Sequence, residues 1–298
     1  MSYIGIDIGG TYIKGVLIDQ ESVVYRITKD TGDGNSLWKQ SVLDVFQELK
    51  TENNGDITRV GLSAPGITDV NNQKIQCMPG RLGGLEGFNW SEYLEQDVAV
   101  LNDAHAALIA ESCWGVAKGV ANVVMLTLGT GVGGGLLINH QLHQGFLQRA
   151  GHLGHICIDA SSEDRDITGI SGSLEDAVGE ATLAKRSLGK YHSTQDLVLA
   201  YKAGDTWATY VWLTMLRKLA LGIVSFCNTV SPDLVVLAGG ITRAKEHLIQ
   251  PLSTFLDLYE WRVAGQATRI KLAVSEEFAG AVGAALFARS PNSQTSKS

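Results

Sequence analysis

The stretch Asp7-Ile8-Gly9-Gly10-Thr11 follows the apolar run Tyr3 to Ile6 and precedes the alternating run Ile13 to Ile18, so it reads as a tight turn between two strands. Two glycines without Cβ let backbone N–H groups approach an anion. Thr11 adds a hydroxyl, and Asp7 supplies a carboxylate able to hold hydrated Mg²⁺. The pattern is that of a phosphate cradle on a hairpin. The competing reading is an ordinary β-hairpin whose glycines serve only positive φ.

A second turn of the same kind gives the first its meaning. Met125 to Leu128 reads as a buried strand, Gly129-Thr130-Gly131-Val132-Gly133-Gly134-Gly135 as a glycine turn, and Leu136 to Ile138 as the returning strand. Gly129, Gly131 and Gly134 also match G-x-G-x-x-G. A dinucleotide fingerprint, however, opens a helix after its strand, and here the chain comes back as a strand, which excludes that reading. This is another hairpin loop suited to phosphates.

The chain has 298 residues, 45% hydrophobic and 18% charged, enough for two domains with cores of their own. A net charge of −7 without any local Lys/Arg run disfavours a general nucleic-acid binder. It does not count against ATP, whose phosphates backbone N–H groups can bind. The N-terminus shows no leader pattern and no uninterrupted apolar run reaches about 18 residues, so a cytoplasmic protein with no membrane partner is expected. Cys77, Cys113, Cys157 and Cys227 are scattered without C-x-x-C spacing and read as reduced, mostly buried thiols. The tail from Ser290 is polar and reads as disordered.

In chain order, the sequence predicts strands near 3–8, 13–19 and 22–28, a helix over 37–50, and a strand over 59–63 that ends at Ala64-Pro65-Gly66. The loop Met78-Pro79-Gly80-Arg81-Leu82-Gly83-Gly84 is suited either to closing over a small ligand or to a plain surface loop. Strand 98–101 then delivers Asn102-Asp103 to a helix over 104–114. The second part repeats this plan: strands 122–128 and 133–138, a strand 156–158, a long helix 207–228, strand 234–237 ending at Ala238-Gly239-Gly240, helix 242–255, strand 269–274 and helix 278–288. Hairpins followed by strand–helix units, occurring twice, predict duplicated α/β domains with a ligand cleft between them.

Asp103 stands at the end of a parallel strand, where α/β sheets expose their ligand crevice. A carboxylate there can take the proton of a hydroxyl attacking a γ-phosphoryl group, or it can simply cap the helix. Asn102 beside it offers a donor and an acceptor to a polyol. His152 and His155, in Gly151-His152-Leu153-Gly154-His155, could line a pocket, bind a metal or stand at a solvated strand start. Glu175 follows Ser173 in a pattern that local capping also explains.

Taken together, Asp7-Ile8-Gly9-Gly10-Thr11, Ala64-Pro65-Gly66, Leu101-Asn102-Asp103-Ala104, Leu128 to Gly135, Gly154-His155, Pro232 to Gly240 and Ala279 to Ala285 resemble the ROK family of sugar kinases, in the correct order over nearly the whole chain. The resemblance implies an actin-like ATPase fold of two duplicated ribonuclease H-like domains with an interdomain cleft. Residues 1–113 and 281–298 would form the sugar and phosphate domain, and 114–280 the nucleotide-binding domain. It further implies transfer of the γ-phosphoryl of Mg-ATP to a hexose hydroxyl, glucose or a related hexose first; an N-acylhexosamine kinase and a non-catalytic sugar-sensing regulator are the alternatives. Regulators of the family carry an N-terminal helix-turn-helix, for which a chain beginning at strand residue Tyr3 has no room. Homodimers are frequent in the family.

By the same resemblance Asp103 is the general base, and Gly66, Asn102, Asp103, His152, His155 and Glu175 contact the sugar. Asp7, Gly9, Gly10, Thr11, Lys14, Gly129, Thr130, Gly131, Gly239 and Gly240 serve ATP and, at Asp7, Mg²⁺. Two departures stand out. His152 occupies a position where the family usually has Glu, so sugar affinity is expected to fall at acidic pH as His152 takes up a proton. The family's Cys-x-Cys-Gly-x-x-Gly-Cys-x-Glu zinc motif aligns with Asp166 to Glu175, and all three thiolates are absent. No structural zinc is therefore expected, with Asp166, Thr168 or a backbone carbonyl orienting His155 instead.

Overall fold

The computed structural model describes residues 1–32, 37–53, 57–78, 82–275 and 277–289, with only the backbone of Thr58. Pro79, Gly80 and Arg81 of the glycine-rich loop and the tail from Ser290 lie outside the described residues. The chain forms two compact units: Met1–Gly119, Gln144–Ala150 and the chain from Val274 make the first, Val120–His143 and Gly151–Ala273 the second. The junctions follow Gly119 and Ala273, where the sequence suggested 113 and 280, and Gln144–Ala150 belongs with the first unit.

The first unit opens with an antiparallel meander, β1 (Ser2–Ile8), β2 (Tyr12–Asp19) and β3 (Ser22–Asp30). Strand β4 (Ile57–Ala64) then pairs parallel to β1, a short ladder of β5 (Ile67–Thr68) and β6 (Ile75–Cys77) stands apart, and β7 (Val98–Asn102) pairs parallel to β4. The sheet order is β3-β2-β1-β4-β7. Central β1 is almost continuously apolar because both faces are covered, whereas edge β3 alternates exposed and half-buried residues. On one face Ile4, Ile6, Val60 and Leu62 pack with Trp38, Val42 and Phe46 of the helix Leu37–Glu52.

The helix Ala279–Arg289 covers the other face, and its Gly/Ala composition has a geometric cause. A Cβ on Gly61 of β4 would lie 1.9 Å from the Ala284 carbonyl oxygen, and a Cβ on Gly283 would lie 1.7 Å from that of Ala106. Backbone meets backbone at both points, so the helix sits directly on the sheet and against the helix Asp103–Trp114.

The second unit repeats the plan. Strands β8 (Val123–Leu128), β9 (Val132–Ile138) and β10 (Gln141–Leu142) are antiparallel neighbours, and β11 (Leu234–Ala238) and β12 (Ile270–Leu272) continue the sheet in parallel, in the order β10-β9-β8-β11-β12. The 25-residue helix Thr206–Val230 is apolar and long enough by length and composition to cross a membrane, yet it buries Val211, Trp212, Leu216, Leu219 and Ile223 inside this unit.

Three local expectations are corrected. Residues 156–158 form no strand: Cys157 makes a single bridge to Ser173, because the segment is irregular and its backbone bonds go to the loop around Gly172. The helix expected over 242–255 is a 3₁₀ turn, Gly240–Ala244, followed by an α-helix, Glu246–Tyr259, with the break at Lys245, whose φ of 49° is left-handed. Cys77 and Cys157 are exposed, since they lie on the short β6 ladder and the irregular segment rather than in core strands.

Candidate functional site

In the first unit, the turn after β1 is anchored at one end and open at the other. Gly9 N–H donates to Tyr12 O at 2.9 Å, and Gly9 O accepts from the Thr31 hydroxyl at 2.7 Å. Gly10 and Thr11 are exposed, and a Cβ built on Gly10 would meet nothing within 4 Å. Protein packing therefore does not demand a glycine there. An approaching anion would.

Asp7, one residue before the end of β1, stands opposite Ser63 in the parallel register of β4, and the Ser63 hydroxyl donates to Asp7 Oδ1 at 2.5 Å. Burial raises the Asp7 pKa to about 6; the Ser63 bond works against that shift, the charge of Asp103 adds to it, and Lys14 opposes it. Two carboxylates close enough to feel each other, one of them buried, form a set of hard oxygen donors that a divalent cation would relieve, so the residues fit Mg²⁺. Lys14 is turned to the start of the last helix, 3.1 Å from Glu277 Oε1 and donating to Glu277 O at 3.2 Å.

At the end of β7 two adjacent residues take different duties. Asn102 is the helix N-cap: its Oδ1 accepts from the N–H groups of Ala104 and His105, and its Nδ2 donates to Gly66 O at 3.0 Å. Gly66 holds φ at 108° to present that carbonyl. Asn102 is buried, whereas Asp103, the first helical residue, is exposed and accepts from Ala104 N–H through Oδ1 at 2.8 Å. The sequence left open whether Asp103 was the cap, and Asn102 holds that place.

In the second unit, Gly129 N–H donates to Gly131 O at 3.0 Å, closing the tight turn, while the carbonyls of Gly129 and Thr130 accept from Glu180 and Ala181. A Cβ on Gly129 or Gly240 would meet nothing within 4 Å, which again leaves room for a ligand. Gly239 and Gly240 follow β11 and lead into the 3₁₀ turn, and Gly239 O accepts from the Thr242 hydroxyl at 2.7 Å. Glu175 lies in a short helix capped by Ser173, so the capping is done by the serine. Its carboxylate instead accepts from Val132 N–H at 2.9 Å, and a Cβ on Gly131 would collide with it at 2.4 Å. Glu175 is thereby tied to the second glycine turn.

His152 precedes a one-turn 3₁₀ segment, Leu153–His155, which His155 ends. Burial, with a smaller contribution from His155, lowers the His152 pKa to about 4. The imidazole is therefore neutral through ordinary acidic pH, which moves the expected loss of its acceptor to below about pH 4. His155 Nδ1 lies 3.0 Å from Asp166 Oδ2, and Asp166 Oδ1 accepts from Thr168 N–H, the Thr168 hydroxyl and Ile170 N–H. His155, Asp166 and Glu175 each place one ligand-type atom within 4.8 Å of the others. Zinc of the thiolate kind does not fit this set: no sulfur ligand is present, and the Asp166 oxygens already accept hydrogen bonds.

Residue reading missed Ser63, which reaches Asp7 only through strand register, and His105, whose Nε2 donates to Ala150 O at 3.1 Å. No local sequence signal marks either, because both partners are remote in the chain.

The ROK family profile matches residues 3–290. A glucokinase of Halalkalibacterium halodurans is 26% identical, over 94% of this chain and 93% of its own length. An N-acetylgalactosamine kinase of a Shewanella strain is 27% identical, over 95% of this chain and 96% of its own. Among solved structures, a ROK hexokinase from Thermus thermophilus superimposes with a TM-score of 0.86 at 26% identity, covering 97% of this chain and 98% of that one. The fold is the actin-like ATPase fold, and the chain belongs to the ROK family.

Proposed function

We propose that this protein is a cytoplasmic ATP-dependent sugar kinase that transfers the γ-phosphoryl group of Mg-ATP to a hydroxyl of a hexose, with glucose or a close relative as the leading substrate. The observation that carries this reading is the division of labour at the end of β7. Asn102 satisfies the helix terminus, and Asp103 is left as an exposed carboxylate beside Asp7. Asp103 accepts the proton of the attacking hydroxyl and fixes its direction. The N–H groups of Gly10 and Thr11 in the first unit, and of Thr130 and Gly131 in the second, serve phosphate oxygens, and Gly239-Gly240 leaves space for the adenosine. Asp7 would hold Mg²⁺, which when bound neutralises phosphate charge. His152, His155 and Glu175 hold the remaining sugar hydroxyls.

Kinase relatives of similar length support the reading. The N-acetylgalactosamine kinase relative favours N-acylhexosamines as the second substrate class. A coupled ADP-release assay over hexoses and N-acylhexosamines tests both. At least one sugar should support sugar-dependent ADP release. A sugar that binds by calorimetry while none supports turnover would instead identify a sugar-sensing regulator.

A further inference from the structure

The carboxylate of Asp166 is one of the most enclosed charged groups in the second unit. Its side chain is 1% exposed, whereas that of His155 is 26% exposed. The groups hydrogen-bonded to it are donors, and the Glu175 carboxylate also lies within 4.8 Å. Oδ1 takes Thr168 N–H at 2.8 Å, the Thr168 hydroxyl at 2.7 Å and Ile170 N–H at 3.1 Å, and Oδ2 faces His155 Nδ1 at 3.0 Å. Burial alone would push this acid up, but the bonds from Thr168, His155, Ile170 and Ser173 outweigh it and hold the pKa at about 2. An ionised carboxylate accepts only, so the imidazole nitrogen facing it must carry the proton.

We propose that Asp166 is a positioning residue: by taking the Nδ1 proton of His155 in a hydrogen bond, it locks the ring in the tautomer whose Nε2 offers a lone pair to a donor hydroxyl of the sugar. The loop from Asp166 to Ile170 is folded around the carboxylate, so the acceptor is fixed in place before any ligand arrives. A carboxylate behind an imidazole also makes the distal nitrogen a better acceptor, as it does behind metal-bound histidines. The sugar part of the inference rests on the kinase reading above, and the tautomer part does not.

The experiment uses the full chain with ¹⁵N-labelled histidine. Long-range ¹H–¹⁵N spectra at neutral pH report which nitrogen of each ring is protonated, with His155→Gln assigning the signal. His155 should carry its proton on Nδ1. Asp166→Asn is the decisive variant, because the amide oxygen can keep the Thr168 and Ile170 bonds while the NH₂ group faces His155. It should reverse the tautomer to Nε2–H without loss of the melting transition. In the kinase assay, Asp166→Asn should raise KM for the sugar by about 3- to 10-fold, the worth of one hydrogen bond, and leave KM for ATP within about twofold. Asp166→Glu should recover part of the loss, and Asp166→Asn should add nothing in a His155→Ala background. An Nε2–H tautomer in the wild type, or an unchanged tautomer in Asp166→Asn, overturns the proposal. So does a stoichiometric divalent cation whose chelation moves the His155 signals. Wild-type protein without sugar-dependent ADP release refutes the kinase reading alone, since the tautomer is read without substrate.

Discussion

Asn102, not Asp103, is the helix cap and ties the Gly66 carbonyl, so replacing Asp103 should leave the helix start intact. Asp103→Asn is expected to keep sugar affinity by calorimetry while kcat falls by about 10² to 10⁴, the range for loss of a general base. Near wild-type turnover would make Asp103 a bystander. Two buried groups set opposing pH dependences. The folded pKa of Asp7, about 6, lies above its ordinary 3.8, so its contribution is fully present below pH 3.8 and is lost as pH rises through 6. That of His152, about 4, lies below 6.5, so its contribution is present above pH 6.5 and is lost as pH falls through 4. Each amounts to no more than about 3 kcal/mol. Melting temperature followed from pH 4 to 7 should therefore be flatter in the wild type than in either variant. Asp7→Asn should be more stable than the wild type at pH 7 and lose that advantage on acidification, while His152→Gln should lose stability as pH rises. Variants that track the wild-type curve would show that these groups do not set it.

The helix Ala279–Arg289 shows how composition follows from close approach. Its Gly283 faces the Ala106 carbonyl, and its Ala284 carbonyl faces Gly61, so neither contact has a flexible side chain that could yield. Gly283→Val is expected to destabilise by about 3 kcal/mol, the upper part of the overpacking range, because backbone must move. The urea midpoint measures it, and a shift near zero would mean that the two helices are not held at this separation. The glycine turns obey a different constraint. At Gly10, Gly129 and Gly240 nothing in the protein occupies the place of a side chain, so packing does not require a glycine at those positions.

The molecule consists of two units, each with its own five-stranded sheet built to one plan and its own buried apolar residues. A chain with two cores need not unfold in one step. Scanning calorimetry should give a calorimetric enthalpy larger than the van't Hoff value, and fluorescence should lag or lead circular dichroism, because the tryptophan pair Trp38 and Trp90 reports the first unit and Trp207 and Trp212 the second. Coincident transitions by both probes, with equal enthalpies, would show that the two units unfold as one.

Much of this architecture was legible in the residues. The paired glycine turns, the strand–helix repeats and the Gly/Ala-rich last helix are local patterns, and hairpins and helices follow from hydrogen bonds and periodicities spanning a few residues. What the tertiary structure decided is longer in range. The bond between Ser63 and Asp7 joins residues 56 positions apart through a parallel register that no local signal encodes. The choice between Asn102 and Asp103 as helix cap depended on where Gly66 stands, and the segment after His155 lost its strand because its bonding partners lie around Gly172. Several groups in the sequence were candidates to face His155, and the loop that buries Asp166 brings that carboxylate to 3.0 Å from its Nδ1. Charge behaves the same way: the shifts at Asp7 and His152 arise from burial, which only the assembled fold creates. Short-range hydrogen bonding wrote the elements into the sequence, whereas register, burial and the pairing of distant polar groups came into being only when the elements packed.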